Sequence, residues 1–263
     1  MDEQRPVESD GPVESDGPVE SGGIVAGFFS FTEITDPSAH RAYNEWHQLD
    51  HMPAQMPLSG IAHGQRWVLT PRCAHAGEAD DELAAAHYMT IYLMKPPLDQ
   101  TIRDFFDLAN DLRDKDRFFE HRRAVASGAV PVVCATASER VRVSPAAIPF
   151  RPNRGVYVSL WDPGAPDRED ISTLIDELLQ LPGVAGVWSF RARDGVDGDA
   201  RIAKSVWLRA NVDVCYLDED PVGVSAAIAS LTRPKWEAAG VKPRFAGPLE
   251  AIVPWSWDWF ERE

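Results

Sequence analysis

The chain has 263 residues, 44% of them hydrophobic and 25% charged, with a formal net charge of −15. It is longer than most single compact domains and has ample apolar material for a core. The carboxylate excess repels phosphate backbones and anionic bilayers, which argues against nucleic acid and membrane as partners. No stretch approaches the roughly 20 uninterrupted apolar residues that a membrane helix requires.

The three cysteines, Cys73, Cys134 and Cys215, are far apart and show no CxxC spacing. They read as buried thiols in a reducing compartment. The first residues lack a basic segment followed by an apolar one, so cytoplasm is the expected location. Residues 6–23 repeat a hexad, PVESDG-PVESDG-PVESGG. With little apolar surface to offset the entropy of ordering, residues 1–23 are expected to form a disordered acidic tail.

From Ile24 to Phe31 an apolar run predicts a strand, and Asp36-Pro37-Ser38 then carries a helix-start signature. The helix covers His40 to Met52, where Pro53 should end or break it. After Ser59-Gly60 come strands at Ile61–Leu69 and His87–Met94, separated by a loop with Pro71 and Gly77. Leu98–Lys115 has Ile102, Phe105, Phe106, Ala109 and Leu112 on one helical face. Ala129–Thr136 closes the first half as a strand, and residues 138–153, with three prolines, read as a linker.

The second half repeats the order. Gly155–Trp161 is a strand, Asp167–Leu181 a helix, Val184–Arg191 and Lys204–Tyr216 strands, Asp220–Ala239 a helix and Ala246–Val253 a strand. LSGIAHGQRW and LPGVAGVWSF superimpose at the same place in both runs, Gly60 on Gly183, Ile61 on Val184, Ala62 on Ala185 and Trp67 on Phe190. That points to a duplication. The fold class is therefore α+β: two tandem ferredoxin-like β-α-β-β-α-β domains, 24–137 and 154–263, whose sheets cover each other as an intramolecular dimeric α+β barrel. Trp255, Trp257 and Trp259 would form a C-terminal clasp.

All seven histidines fall in the first half, which marks it as the site-bearing domain and the second as scaffold. Tyr43, His47 and His51 are spaced four apart on one helical face, with Trp46 and Asp50 beside them. Placed at a helix C-terminus, His51 should have a raised pKa suited to proton transfer, with Asp50 or His47 setting its tautomer. A solvated or packed histidine pair is the alternative that spacing leaves open.

The runs Trp46-His47-x-x-x-His51-Met52-Pro53 and Gly60-Ile61-Ala62-His63-Gly64-x-Arg66-Trp67 resemble a segment of the dimeric α+β barrel superfamily, most closely its EthD-like members. The likeness spans Phe28 to Leu69 and departs from the pattern in placing His47 where an aromatic residue is usual. It implies a ligand cleft between the sheet and helices of one domain, with His51 pointing in and Arg66 and Trp67 on the facing strand. The superfamily hosts cofactor-free monooxygenases, isomerases, cyclases, dehydratases and decarboxylases as well as haem enzymes, so membership does not select a reaction.

The expectation is an enzyme acting on a small apolar or aromatic molecule without a cofactor, of lyase or isomerase type. His51, His47, Asp50 and Arg66 form its catalytic group, and Tyr43, Trp46, His63, Trp67, His87 and Tyr92 contact substrate. Arg66 or His63 would stabilise developing negative charge. Open beside it stand a haem on one axial histidine, a metal on His47 and His51 with His63 as third ligand, an oxygenase of the same fold, and a non-catalytic ligand carrier. A homodimer is compatible with each.

Overall fold

The computed structural model describes residues 20–162, 168–192 and 209–260, with the backbone alone over 168–172. The acidic repeat up to residue 19, and the expected strand before residue 209, lie outside the described residues. Residues 20–23 belong to a turn rather than to a tail: buried Ser21 donates from Oγ to the Ile24 carbonyl at 2.6 Å, and Gly22 and Gly23 supply the positive φ.

The first half contains β1 (Ala26–Ile34), α1 (His40–Trp46), a π turn (His47–His51), α2 (Met52–Gln55), β2 (Ile61–Val68), α3 (Pro71–Ala76), β3 (Glu78–Ala79), β4 (Tyr88–Met94), α4 (Leu98–Asp114) and β5 (Arg122–Ala137). The second contains β6 (Gly155–Trp161), α5 (Arg168–Gln180), β7 (Val184–Phe190), β8 (Asn211–Leu217), α6 (Pro221–Ala238) and β9 (Pro243–Ala251). The short α3 stands where the sequence suggested loop. Thr70 caps it by accepting from Cys73 N, and Pro71 fits its first turn, where no N–H is needed.

The strands run in the order β2-β4-β1-β5-β7-β8-β6-β9, all antiparallel, and Trp67 and Val68 pair with Ala251 and Glu250 to close the ring. The short β3 adds to β9. In each half the first and third strands are central and the second and fourth flank them, the ferredoxin-like order. The architecture is the expected α+β barrel.

Closure makes alternation decisive, because successive strand residues face opposite sides. Phe29 and Phe31 of β1, Met89 and Ile91 of β4 and Trp67 of β2 point into the barrel. There they meet Trp188, Phe190, Val212, Val214 and Phe245 from the second half. Phe29 packs edge-on against Phe190 with ring centroids 4.9 Å apart. On the outer surface Phe28 and Tyr92 pack under Ile102 and Phe105 of α4, and Tyr157 packs under Leu178, Ile228 and Trp236 of α5 and α6.

Residues 138–153 are more than a linker. A 3-10 turn at Pro145–Phe150 buries Ile148 completely, and Trp188 Nε1 donates to the Pro145 carbonyl at 3.1 Å. The expected clasp is divided: Trp257 is buried, Trp259 and Phe260 pack on the cluster of Ile34, Tyr43 and Tyr88, and Trp255 is 69% exposed. All three cysteines are free thiols. No helix among the described residues is long and apolar enough to cross a membrane.

A core shared by the two halves predicts one cooperative unfolding transition. Phe190→Ala should cost about 3–5 kcal/mol in urea unfolding, and a cycle with Phe29→Ala should show coupling of about 0.5–1.5 kcal/mol. Two separate transitions, or zero coupling, would contradict a common core.

Candidate functional site

The site begins with a helix that passes through a proline. Asp36 accepts from Ser38 N at 2.9 Å and starts the turn that leads into α1. In a regular α-helix Pro53 would lack a donor and its ring would press on the carbonyl four residues back. The chain instead widens by one residue, and Met52 N donates to the His47 carbonyl, five residues back. The helix therefore does not end at Pro53 but continues to Gln55. Such π turns recur at functional sites, and this one carries buried His47 and His51, with buried Gln55 one turn on in α2.

Between this helix, α4 and the outer face of the first-half sheet lies a cavity of about 360 Å³. Its floor is Phe28, Ser30 and Thr32 of β1, Thr90 and Tyr92 of β4, and Arg122, Ala124 and Ser127 of β5. His47, His51 and Gln55 form one wall, and Phe105, Phe106 and Arg113 of α4 form another. Phe118 and Phe119 close the end.

Within it, Gln55 Nε2 and His51 Nε2 are 2.9 Å apart. With the amide donating, the His51 proton sits on Nδ1. That atom, His47 Nδ1, Gln55 Oε1 and Tyr92 OH are buried without a partner. Orphaned buried polar atoms each cost about 1–3 kcal/mol and call for an explanation, a bound ligand among them. The Trp46 indole stacks on the His51 ring at 4.5 Å and 22°, held in place by a 2.9 Å bond from its Nε1 to the Arg117 carbonyl. Phe118 meets the other side of His51 edge-on at 5.3 Å.

Burial first, then the guanidiniums of Arg66 and Arg122 and the neighbouring imidazole, hold His47 well below the ordinary histidine value. For His51, burial and then Arg122 outweigh the opposing pull of Asp50 and set it at about 3. The rise expected from a helix C-terminus is thus overturned, since the helix does not end there and desolvation disfavours the cation. Both imidazoles are neutral near pH 7. Burial also weakens the charged form of Arg122 and raises the Tyr92 phenol.

Other residues singled out from sequence are distributed around this cavity. Asp50 turns outward to Arg117 at 2.6 Å rather than toward His51, as adjacent helical residues must point apart. Arg66 is buried behind the wall. Its Nη2 donates to Asn44 Oδ1 at 2.9 Å, its guanidinium carbon lies 5.2 Å from the Tyr43 ring centroid, and Nε and Nη1 are unpartnered. Tyr43, fully buried, packs edge-on against His47 at 5.6 Å.

Three residues stand elsewhere. Strand alternation sends Trp67 into the barrel, where Nε1 donates to Asn153, and His63 lies against Phe150 at 4.9 Å. His87 accepts from Ile34 N at 3.0 Å and packs on Phe260. Spacing alone did not indicate Gln55, Arg113, Phe118 or Arg122. Gln55 was detectable as the i+4 partner of His51, whereas Arg122 joins the site only because β5 begins there and not at Ala129.

The expected third metal ligand is not with the pair, and among the described residues no three metal-ligating side chains converge. A haem needs an imidazole nitrogen standing free above an open slot. Here Nε2 of His51 is held by Gln55, and Trp46 covers its ring. The volume also lies near the lower end of small-molecule sites, about 300–1,000 Å³. As arranged, Nε2 of His51 is not free to hold a haem.

No family model and no curated protein matches the sequence. Among solved structures, a protein provisionally named a chlorite dismutase matches with a TM-score of 0.55 at 9% identity, over 90% of this chain and 98% of its own. A provisionally named monooxygenase of Fusobacterium nucleatum scores 0.49 at 10% identity over 88% and 94%. One from Lactobacillus acidophilus scores 0.39 at 11% over 87% and 98%. At these identities the first likeness is one of fold, the α+β barrel.

The buried neutral histidines make stability depend on pH. Unfolded histidine binds protons below pH 6.5 while folded His51 does not until about pH 3, so His51 contributes stability above pH 6.5 and progressively loses it below. Each such histidine should remove about 1.4 kcal/mol per pH unit between pH 6 and 5. Urea unfolding at these two pH values should show the slope, and His51→Gln should reduce it. An equal slope in the variant would place His51 in solvent.

Proposed function

We propose that this chain is an enzyme that moves a proton on a small, largely apolar or aromatic molecule held in the first-half cavity. The observation that carries this is the pair of buried, neutral imidazoles at the wall of an aromatic cavity beside a guanidinium. With the Gln55 amide turned so that its Oε1 accepts from Nε2–H, the Nδ1 lone pair of a neutral His51 can accept a proton from carbon next to a carbonyl. The electron pair of the broken C–H bond then moves onto the carbonyl oxygen as an enolate, which Arg122 is placed to stabilise. From that enolate, expulsion of a neighbouring leaving group or ring closure gives a lyase or isomerase step; a decarboxylation instead forms the enolate by loss of CO2 and ends with its protonation, and acid, base and exclusion of water suffice for each.

A histidine held at about 3 is a weak base in the empty cavity. Negative charge arriving beside it opposes the guanidinium field and strengthens it toward the working range. His47 lies 5.1 Å from His51, ring to ring, as a second proton carrier. Gln55 takes the tautomer-setting place expected of Asp50, and Arg122 the charge-stabilising place expected of Arg66 or His63. Membership of the EthD-like group and a common origin of the two halves belong to the same proposal, supported by Ile61 and Val184 opening β2 and β7 at matching places. Cofactor-free oxygenation and simple ligand carriage would use the same cavity without this proton step.

Phenylacetone, phenylpyruvate and related aryl carbonyl compounds, incubated with the protein in D2O, report the step directly by NMR. Wild type should exchange the carbon-bound protons of at least one compound above the buffer rate. His51→Ala, with its fold verified by circular dichroism, should lose about 10²–10⁴-fold. Buffer-rate exchange across the panel, or undiminished exchange in the variant, rejects the assignment.

A further inference from the structure

We propose that the ligand of this cavity is a carboxylate, an aromatic or similarly apolar acid whose anion is held by Arg113 and Arg122 while its body lies on Phe28, Phe105 and Phe106. This deepens the enzymatic proposal above and rests on the same cavity being the substrate site.

The charge balance of the lining is inverted relative to the chain. The protein carries 41 acidic and 26 basic side chains other than histidine, yet no Asp or Glu lines the cavity, and two arginines do. Arginines nearby are paired in the ordinary way: Arg117 meets Asp50 at 2.6 Å and Arg123 meets Glu33 at 2.5 Å, both facing outward. Arg113, exposed at the cavity edge, donates to the neutral Asn110 Oδ1 at 2.8 Å. The Arg122 side chain makes no hydrogen bond or ion pair among the described residues, and its ring neighbour is Phe118.

Leaving a partly desolvated guanidinium without a counter-charge is costly, and an arriving carboxylate offsets that cost through short charge-assisted bonds. Arg113 and Arg122 lie 4.6 Å and 5.4 Å from the Phe118 ring centroid, so they converge on one end of the cavity. Phe118 also touches His51 edge-on at 5.3 Å. An anion anchored there brings the rest of the molecule beside the imidazole and supplies the negative charge that strengthens His51 as a base. The aromatic floor and the volume of about 360 Å³ suit a body of one or two rings.

Calorimetric titration of the full chain with 2-naphthoate, its neutral counterpart 2-naphthylmethanol, and inorganic phosphate tests the proposal. Wild type should bind the acid at least tenfold more tightly than the alcohol. Arg122→Met and Arg113→Met should each erase most of that preference, and Arg123→Met, which removes a guanidinium paired outward with Glu33, should keep it. If Arg122→Met fails to fold, the wild-type comparison and Arg113→Met decide alone. Equal binding of acid and alcohol, or a preference intact in the arginine variants, overturns the carboxylate assignment while leaving the cavity as a substrate site. Tight phosphate with no preference for naphthoate overturns it in favour of a phosphoryl ligand. Failure of both naphthyl probes to bind overturns the carboxylate assignment, and the deuterium-exchange panel then decides the enzymatic reading separately.

Discussion

Closing eight strands into one hydrogen-bonded ring is the constraint on which the molecule depends. A closed ring has one inside, too crowded for anything but packed apolar side chains, and one outside on which the helices must lie. Between bulges, each strand residue is assigned to one or the other by parity. Phe29 and Phe31 are drawn into a core common to both halves, which obliges Phe28, Ser30 and Thr32 to face the helices. Polar residues on a strand surface and bulky rings on α4 do not fill the space between them, and the cavity is what remains.

The same ring explains the unequal halves. Packing through the barrel requires only apolar side chains of suitable shape, so the second half can stabilise the first while contributing no histidine. Its helices rest on Tyr157, Leu178 and Trp236 in ordinary core packing. The first half keeps its helix at a distance from the sheet by aromatic rings and by the π turn, which carries the chain past Pro53 without breaking it.

Electrostatics at the cavity follow from what is missing as much as from what is present. Histidines pressed into a dry wall beside guanidiniums cannot hold a proton, and no carboxylate among the lining residues relieves them. A cationic pocket without a carboxylate is an unfavourable arrangement for the fold by itself, which the proposed anion would offset.

Much of this was legible in the chain. Hydrophobic period separates strands from helices, Gly60 and Gly183 mark the same turn in each half, and four-residue spacing places His47 and His51 together. These are local properties, set by backbone geometry within a few residues. What the tertiary structure decided depends on contacts between distant segments. Register and a bulge near Ile61 in β2 put Arg66 toward the helix and Trp67 into the barrel, the early start of β5 delivers Arg122 to the floor, and burial reverses the charge state expected at His51. Strand pairing and desolvation are summed over the whole fold, and no window of sequence contains them.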